Sequence, residues 1–230
     1  MVYGYEDSLT LLLMIIGIGL SLYAQFKIIG TYGKFKKILN KSNISGCEVA
    51  RKILDENGLQ GIYVVETKGN WTDHYDPSRK VIRLSTDIFH GNSIAAISVA
   101  AHECGHAIQD KENYAPMRIR SMIIPIVNFI SYAGYFVMIL SLIFGMIGYF
   151  MTGIIMLLAT LVFQVITLPV EFDASKRAEE ELLKLNIVDS NESTSVKGML
   201  NAAAFTYIAS VISTLLSILR LIIMANRDRD

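Results

Sequence analysis

From Ser121 to Leu168 the chain contains no Asp, Glu, Lys or Arg. Few folds can absorb such a run, because a soluble domain keeps charge at its surface every few residues. Crossing the hydrocarbon core of a bilayer takes about 20 apolar residues per helix, so the run is long enough for two spans. "GMIGYFMTG" near its middle marks the turn of a hairpin. Two further uncharged blocks, Thr10 to Phe26 and Ala202 to Leu219, each approach the length of one span. Four transmembrane helices are therefore expected. A hydrophobic content of 52% and a mean hydropathy of +0.42 agree, being too high for an ordinary soluble domain. The first block is expected to stay as an anchor. The residues before Asp7 include Glu6 but no Lys or Arg, and no small-x-small cleavage site follows.

Net charge is zero, but its distribution is not even. Of 21 Lys and Arg residues, 14 lie from Lys27 to Arg120, four from Lys176 to Lys197 and three from Arg220 onward. None precedes the first span. The positive-inside rule then puts both polar segments in the cytoplasm and both termini outside. Arg220, Arg227 and Arg229 run slightly against that assignment for the last span. Cys47 and Cys104 are too few for a disulfide framework or a thiolate metal site. The N-x-S/T triplets at Asn43, Asn70 and Asn191 fall in segments assigned to the cytoplasm and are read as chance matches.

The organisation expected is an anchor at 1–29, a cytoplasmic segment at 30–117, a transmembrane hairpin at 118–168, a cytoplasmic helix at 169–202, and a last span with its tail at 203–230. Within the first polar segment, "SGCEVARKILDENGL" carries a capping signal, Ser45 with Glu48 three residues on. Val49, Ile53 and Leu54 share one face, and Gly58 ends the helix. "GIYVVET" and "KVIRLST" are β-branched runs bounded by turn formers and predict two strands joined by a loop, "KGNWTDHYDPSR". The strand "VIRLS" is expected to offer an edge for an extended substrate. An Ala-rich helix over 93–110 follows, with His102, His106 and Gln109 on one stripe. After the hairpin a helix is expected to leave the membrane just beyond Pro169.

"AHECGHA" places His102 and His106 one helical turn apart, so both side chains project from one face and can share a metal. Neutral imidazole is a good zinc ligand. Glu103, between them, can take a proton from water without ligating. Zinc needs a third protein ligand. Gln109 and Glu112 stand where a compact continuation would carry Gly and a third His. His74 and His90 lie in predicted loops. Glu171, on the helix directly after the hairpin, is the better candidate: a two-span hairpin returns the chain to the side it left, so the helices of His102 and Glu171 lie on the same face of the membrane. Asp173 or Ser175 on the same helix would supply an acceptor for a ligand imidazole N–H.

"AAHECGHAIQ", "DHYDPSRKVIRLS", "LPVEFDASKRA" and "LNAAAFTYIA", in this order and spacing, resemble the neutral zinc metallopeptidases of the YugP type, which are bacterial integral membrane proteins. "GCEVARKILDENGL" and "NYAPMRIRSMIIPIVNF" extend the resemblance over nearly the whole chain. The layout is also similar to the gluzincin membrane proteases, including HtpX and the CAAX-processing enzymes. The resemblance implies zinc held by His102, His106 and Glu171, with Glu103 as general base. Those relatives often carry Asp four residues after the glutamate ligand, and here that position is Ser175.

The fold class expected is a mainly α-helical integral membrane protein with about four transmembrane helices and a small α+β, zincin-like cytoplasmic catalytic domain. The function expected is peptide-bond hydrolysis on protein or peptide substrates at the cytoplasmic membrane face. The lipid bilayer is a partner, nucleic acid is not, and oligomeric state is left open. A second electrophile for the oxyanion would come from His74, Tyr75, Tyr207 or Arg177, with His74 favoured. The alternative is a non-catalytic zinc-binding scaffold or chaperone-like protein, which would have no use for Glu103. A transporter would carry charges within its spans, and the first three spans have none in their cores.

Overall fold

A computed structural model describes residues 2–145 and 147–227. The tail beyond residue 227, including Arg229, lies outside the described residues. Among the described residues four helices are long and apolar enough to cross a membrane: α1 (Val2–Phe35), α5 (Ala115–Ile143), α6 (Ile147–Lys184) and α7 (Ser190–Arg227). Their large apolar side chains point outward, as at Ile15, Ile126, Phe129, Ile155 and Leu215. That inverts the soluble pattern and suits a lipid solvent. The chain divides into two compact units, one of residues 1–25, 119–168 and 206–230, the other of 26–118 and 169–205.

In the first unit the chain turns between α5 and α6 at 144–145, where Gly145 adopts φ +65°. A Cβ at Gly153 would lie 2.9 Å from the carbonyl oxygen of Gly134, so the two backbones approach too closely for any side chain. Small residues permit this contact in a medium where apolar burial gives helices no drive to associate. A hydroxyl pair between Ser131 and Thr160 joins the same two helices, and Ser213 Oγ donates to the carbonyl of Gly17 at 2.9 Å to join α7 to α1.

The second unit holds α2 (Gly46–Glu56), a small sheet, α3 (Thr86–Phe89), α4 (Ile94–Lys111) and the polar part of α6. The capping box at α2 forms as its sequence requires. Ser45 Oγ accepts from Glu48 N, and the Glu48 carboxylate accepts from Ser45 N at 2.7 Å. Val49, Ile53 and Leu54 on its apolar face are fully buried, each contributing roughly 1.5–3 kcal/mol. They pack with Ile82 and Leu84 of the sheet, Ile94 and Ile97 of α4, and Val170 and Leu182 of α6 in one core.

The sheet has three strands, not two: β1 (Tyr63–Thr67), β2 (His74–Asp76) and β3 (Val81–Ser85), in the order β1-β3-β2. β2 falls in the segment expected to be a loop. It is too short to show alternation, and Pro77 follows it. The turn to β3 is nevertheless built by local chemistry, Asp76 Oδ1 accepting from the N–H groups of Ser78 and Arg79. β3 pairs parallel with β1 and antiparallel with β2, so both its edges are used and it cannot receive a substrate strand. The expectation for "VIRLS" is corrected accordingly, and the outer edges belong to β1 and β2. A second difference concerns Pro169. It lies inside a continuous α6 rather than at a helix start, where it removes one backbone donor from that helix.

Candidate metal centre

The helix that carries the histidine pair forms as its sequence directs. Ser93 caps α4 by accepting from Ala96 N at 3.2 Å, and the small residues Ala100, Ala101 and Ala107 lie fully buried. Gly105 has a stricter reason. A Cβ there would stand 2.4 Å from the carbonyl oxygen of Ala174, so only glycine lets α4 lie against α6. Ala174 is one turn beyond Glu171. The close approach therefore sets how near Glu171 comes to the histidines.

His102, His106 and Glu171 meet. Each can offer one ligand atom such that all three atoms lie within 4.8 Å of one another. Among the described residues no other group of three His, Cys, Asp or Glu side chains is so arranged. Glu171 Oε2 lies 3.2 Å from His102 Nε2 and 3.7 Å from His106 Nε2. The two rings stand nearly perpendicular, 82° apart, with centroids 4.8 Å from each other. Their other nitrogens are held from behind. Ser175 Oγ lies 3.2 Å from His102 Nδ1, and Gln109 Oε1 lies 3.0 Å from His106 Nδ1. The group is deeply placed, with side-chain exposures of 16%, 9% and 3% for His102, His106 and Glu171.

These dimensions fit zinc. Ligand atoms about 2.0–2.2 Å from a tetrahedral ion stand roughly 3.3 Å apart, which matches the 3.2 and 3.7 Å separations. Two imidazoles and one carboxylate are also the donor set of a catalytic rather than a closed structural site. Burial acts to lower the His106 pKa, but the Glu171 carboxylate against its ring outweighs this and raises it. The same arrangement that would favour a cation as a proton would favour it as a metal.

Glu103 is buried beside this group, and its Oε2 accepts the backbone N–H of Tyr75 at 2.9 Å. That N–H faces away from β3, so the outer edge of β2 abuts α4. The Tyr75 side chain reaches Asp110 on α4 at 2.8 Å, and Lys80 reaches the same carboxylate at 2.6 Å. Burial first, then Asp110, push the Tyr75 phenol pKa up. Burial also acts to raise the Asp110 pKa, but Lys80 and Tyr75 together hold it below the usual carboxylate range.

His74 is not brought to the group. It is exposed and pairs with Arg83 on the face of β2 opposite Tyr75, and its Nδ1 lies 2.7 Å from Thr72 O. His90 is also exposed, beside Glu66. Arg177 is committed to Asp173 at 2.6 Å and Glu112 at 2.7 Å, and Tyr207 belongs to the other compact unit. Asp173 and Ser175 both act behind the histidines by separate routes: Ser175 touches His102 directly, whereas Asp173 touches Gln109. The part played by Gln109 is not legible in the sequence. Its one signal there is a polar residue on the histidine stripe of an otherwise apolar helix.

The chain matches the model of the family described as "Putative neutral zinc metallopeptidase" over residues 10–226. It is 41% identical over 222 residues to "Putative membrane protease YugP" of Bacillus subtilis (strain 168), covering 96% of this chain and 99% of that relative. No solved structure matches it.

Proposed function

Because this chain belongs to the neutral zinc metallopeptidase family, we propose that it is a membrane-embedded zinc metalloprotease acting on protein substrates at the cytoplasmic membrane face. The observation that carries the proposal is the convergence of His102 Nε2 and His106 Nε2 on one oxygen of Glu171. These three side chains would hold zinc, which when bound acidifies water and polarises a carbonyl. Glu103 is the general base: its carboxylate takes the proton of the attacking water and later delivers it to the leaving amine nitrogen. The Tyr75 N–H fixes that carboxylate, so the base reaches the reaction already oriented. The charge distribution along the chain supports the cytoplasmic orientation, with both termini outside; reporter fusions at each terminus test it.

The test is purification in detergent, zinc determination and cleavage of an unfolded protein by wild type and Glu103→Gln. The expected result is one zinc per chain in both and a loss of about 10²–10⁴-fold in cleavage for the variant. Zinc retained with equal cleavage would refute Glu103 as the base, and zinc without cleavage in the wild type would return the chain to a scaffold with a structural metal. A donor role for His74 gains no contact from the geometry. Its replacement by Ala decides the point, since losing an oxyanion donor costs about 10²–10³ in kcat.

A further inference from the structure

Gln109 is fully buried, and its side chain makes three hydrogen bonds. Its Nε2 donates to the carbonyl oxygen of Val170 at 2.8 Å and to Asp173 Oδ2 at 2.8 Å. Neither partner can donate, so both amide hydrogens are consumed and the orientation of the amide is fixed. Oε1 must then face His106, where it lies 3.0 Å from Nδ1. An amide oxygen only accepts. Nδ1 must therefore carry a proton, so in the neutral ring that a metal requires Nε2 keeps its lone pair toward Glu171, 3.7 Å away.

We infer that Gln109 is the positioning residue that sets the tautomer of His106 for metal binding, and that Asp173 and Arg177 hold Gln109 to that task. Asp173 is itself held by Arg177 Nε at 2.6 Å, and Arg177 reaches Glu112. A polar chain thus runs from the surface through α6 into the back of α4. It fixes one histidine, while Ser175 serves the other. It also explains why Gln stands here. A glutamate in its place would set a second carboxylate against Asp173 and against the Val170 carbonyl, and a leucine would leave the imidazole N–H without an acceptor in a buried site. Asp173 and Val170 flank Glu171 on α6, so the same amide ties the helix of the third ligand to the helix of the first two.

This inference rests on the zinc-site reading, and the experiment separates the two. Zinc affinity is measured by chelator competition on the full chain in detergent for wild type, Gln109→Leu, Gln109→Glu and the double variant Gln109→Glu with Asp173→Asn. Gln109→Leu and Gln109→Glu are expected to bind zinc about 10–100-fold more weakly, as loss of an outer-shell partner does. The double variant is expected to recover part of that loss, because the carboxylate at position 109 still faces the Val170 carbonyl. Its amide at position 173 can donate to the carboxylate at position 109, and that carboxylate can still accept from His106. A residue that merely filled space would not be rescued by exchanging the amide and the carboxylate between the two positions. With four histidines in the chain, ¹⁵N-histidine spectra of the zinc-loaded protein identify the nitrogen that bears hydrogen. The expected assignment for His106 is Nδ1–H. Wild-type affinity in Gln109→Leu or no recovery in the double variant would overturn the inference while leaving the zinc site in place, whereas an Nε2–H at His106 would overturn the inference and remove Nε2 of His106 from the ligand set. Absence of zinc from the wild type would remove the site and the inference together.

Discussion

Replacing Gly105 by Ala adds one methyl group between the two helices that carry the ligands. Its Cβ would lie 2.4 Å from the carbonyl oxygen of Ala174 and 3.0 Å from both the carbonyl carbon and Cα of that residue. All three are backbone atoms, so no side chain can swing aside. Restoring ordinary contact requires α4 and α6 to separate by about 1 Å. Two stability terms oppose each other. Overpacking costs about 1–3 kcal/mol, while Ala for Gly in a helix interior returns about 1 kcal/mol. The net loss is therefore small, about 0–2 kcal/mol, and the variant is expected to fold. The metal is less forgiving, because ligand distances tolerate only about 0.2 Å. A displacement of Glu171 by about 1 Å, one turn from Ala174, takes its oxygen out of range. Zinc affinity is expected to fall at least as far as the roughly 10–100-fold seen on losing an outer-shell partner. Chelator competition measures this, with thermal unfolding of the metal-free protein as the control for folding. Wild-type zinc affinity in a folded Gly105→Ala protein would refute the claim that this contact sets the ligand geometry.

Glu171→Ala should lose zinc more completely than any outer-shell variant, while Glu112→Ala should keep it. Normal zinc in the former would shift the third ligand to Glu112, which the structure pairs with Arg177 at the surface. Tyr75→Phe should destabilise the protein by about 1.5–3 kcal/mol, the range for a hydrogen bond to an ionised group, with the lower end expected because Lys80 stays on Asp110. Unchanged unfolding in denaturant would count against that pairing. In metal-free protein the raised His106 pKa predicts stability that is fully present below its ordinary value of 6.5 and is lost as pH rises through the raised one. Zinc affinity should run the opposite way and grow with pH, since the ligand must shed its proton. Melting curves with excess chelator, run from about pH 6 to about pH 9, test the first trend, and competition titrations test the second.

Hydrophobic blocks and one short motif carried most of what could be read along the chain. Four helices long and apolar enough to cross a membrane, the turn near Gly145, the capped helix after Ser45 and the histidine helix from Ser93 all follow from local rules of charge, periodicity and capping, which act over a few residues. Glu171 was singled out for a topological reason, because an even number of spans would return the chain to one side, and the structure brings it within reach of both histidines. β2 was not legible, since three residues beside a proline carry no periodicity and become a strand only by pairing with β3. Which strand lies at the edge, and so which backbone N–H meets Glu103, depends on sheet order rather than on any local pattern. The roles of Gln109, Ser175 and Gly105 likewise arise where α4 and α6 touch, between residues 61 to 73 positions apart in the chain. Sequence determined the kinds of side chain able to hold a metal. Tertiary packing decided which oxygen faces which nitrogen, because that depends on helices closing to backbone contact at a single glycine.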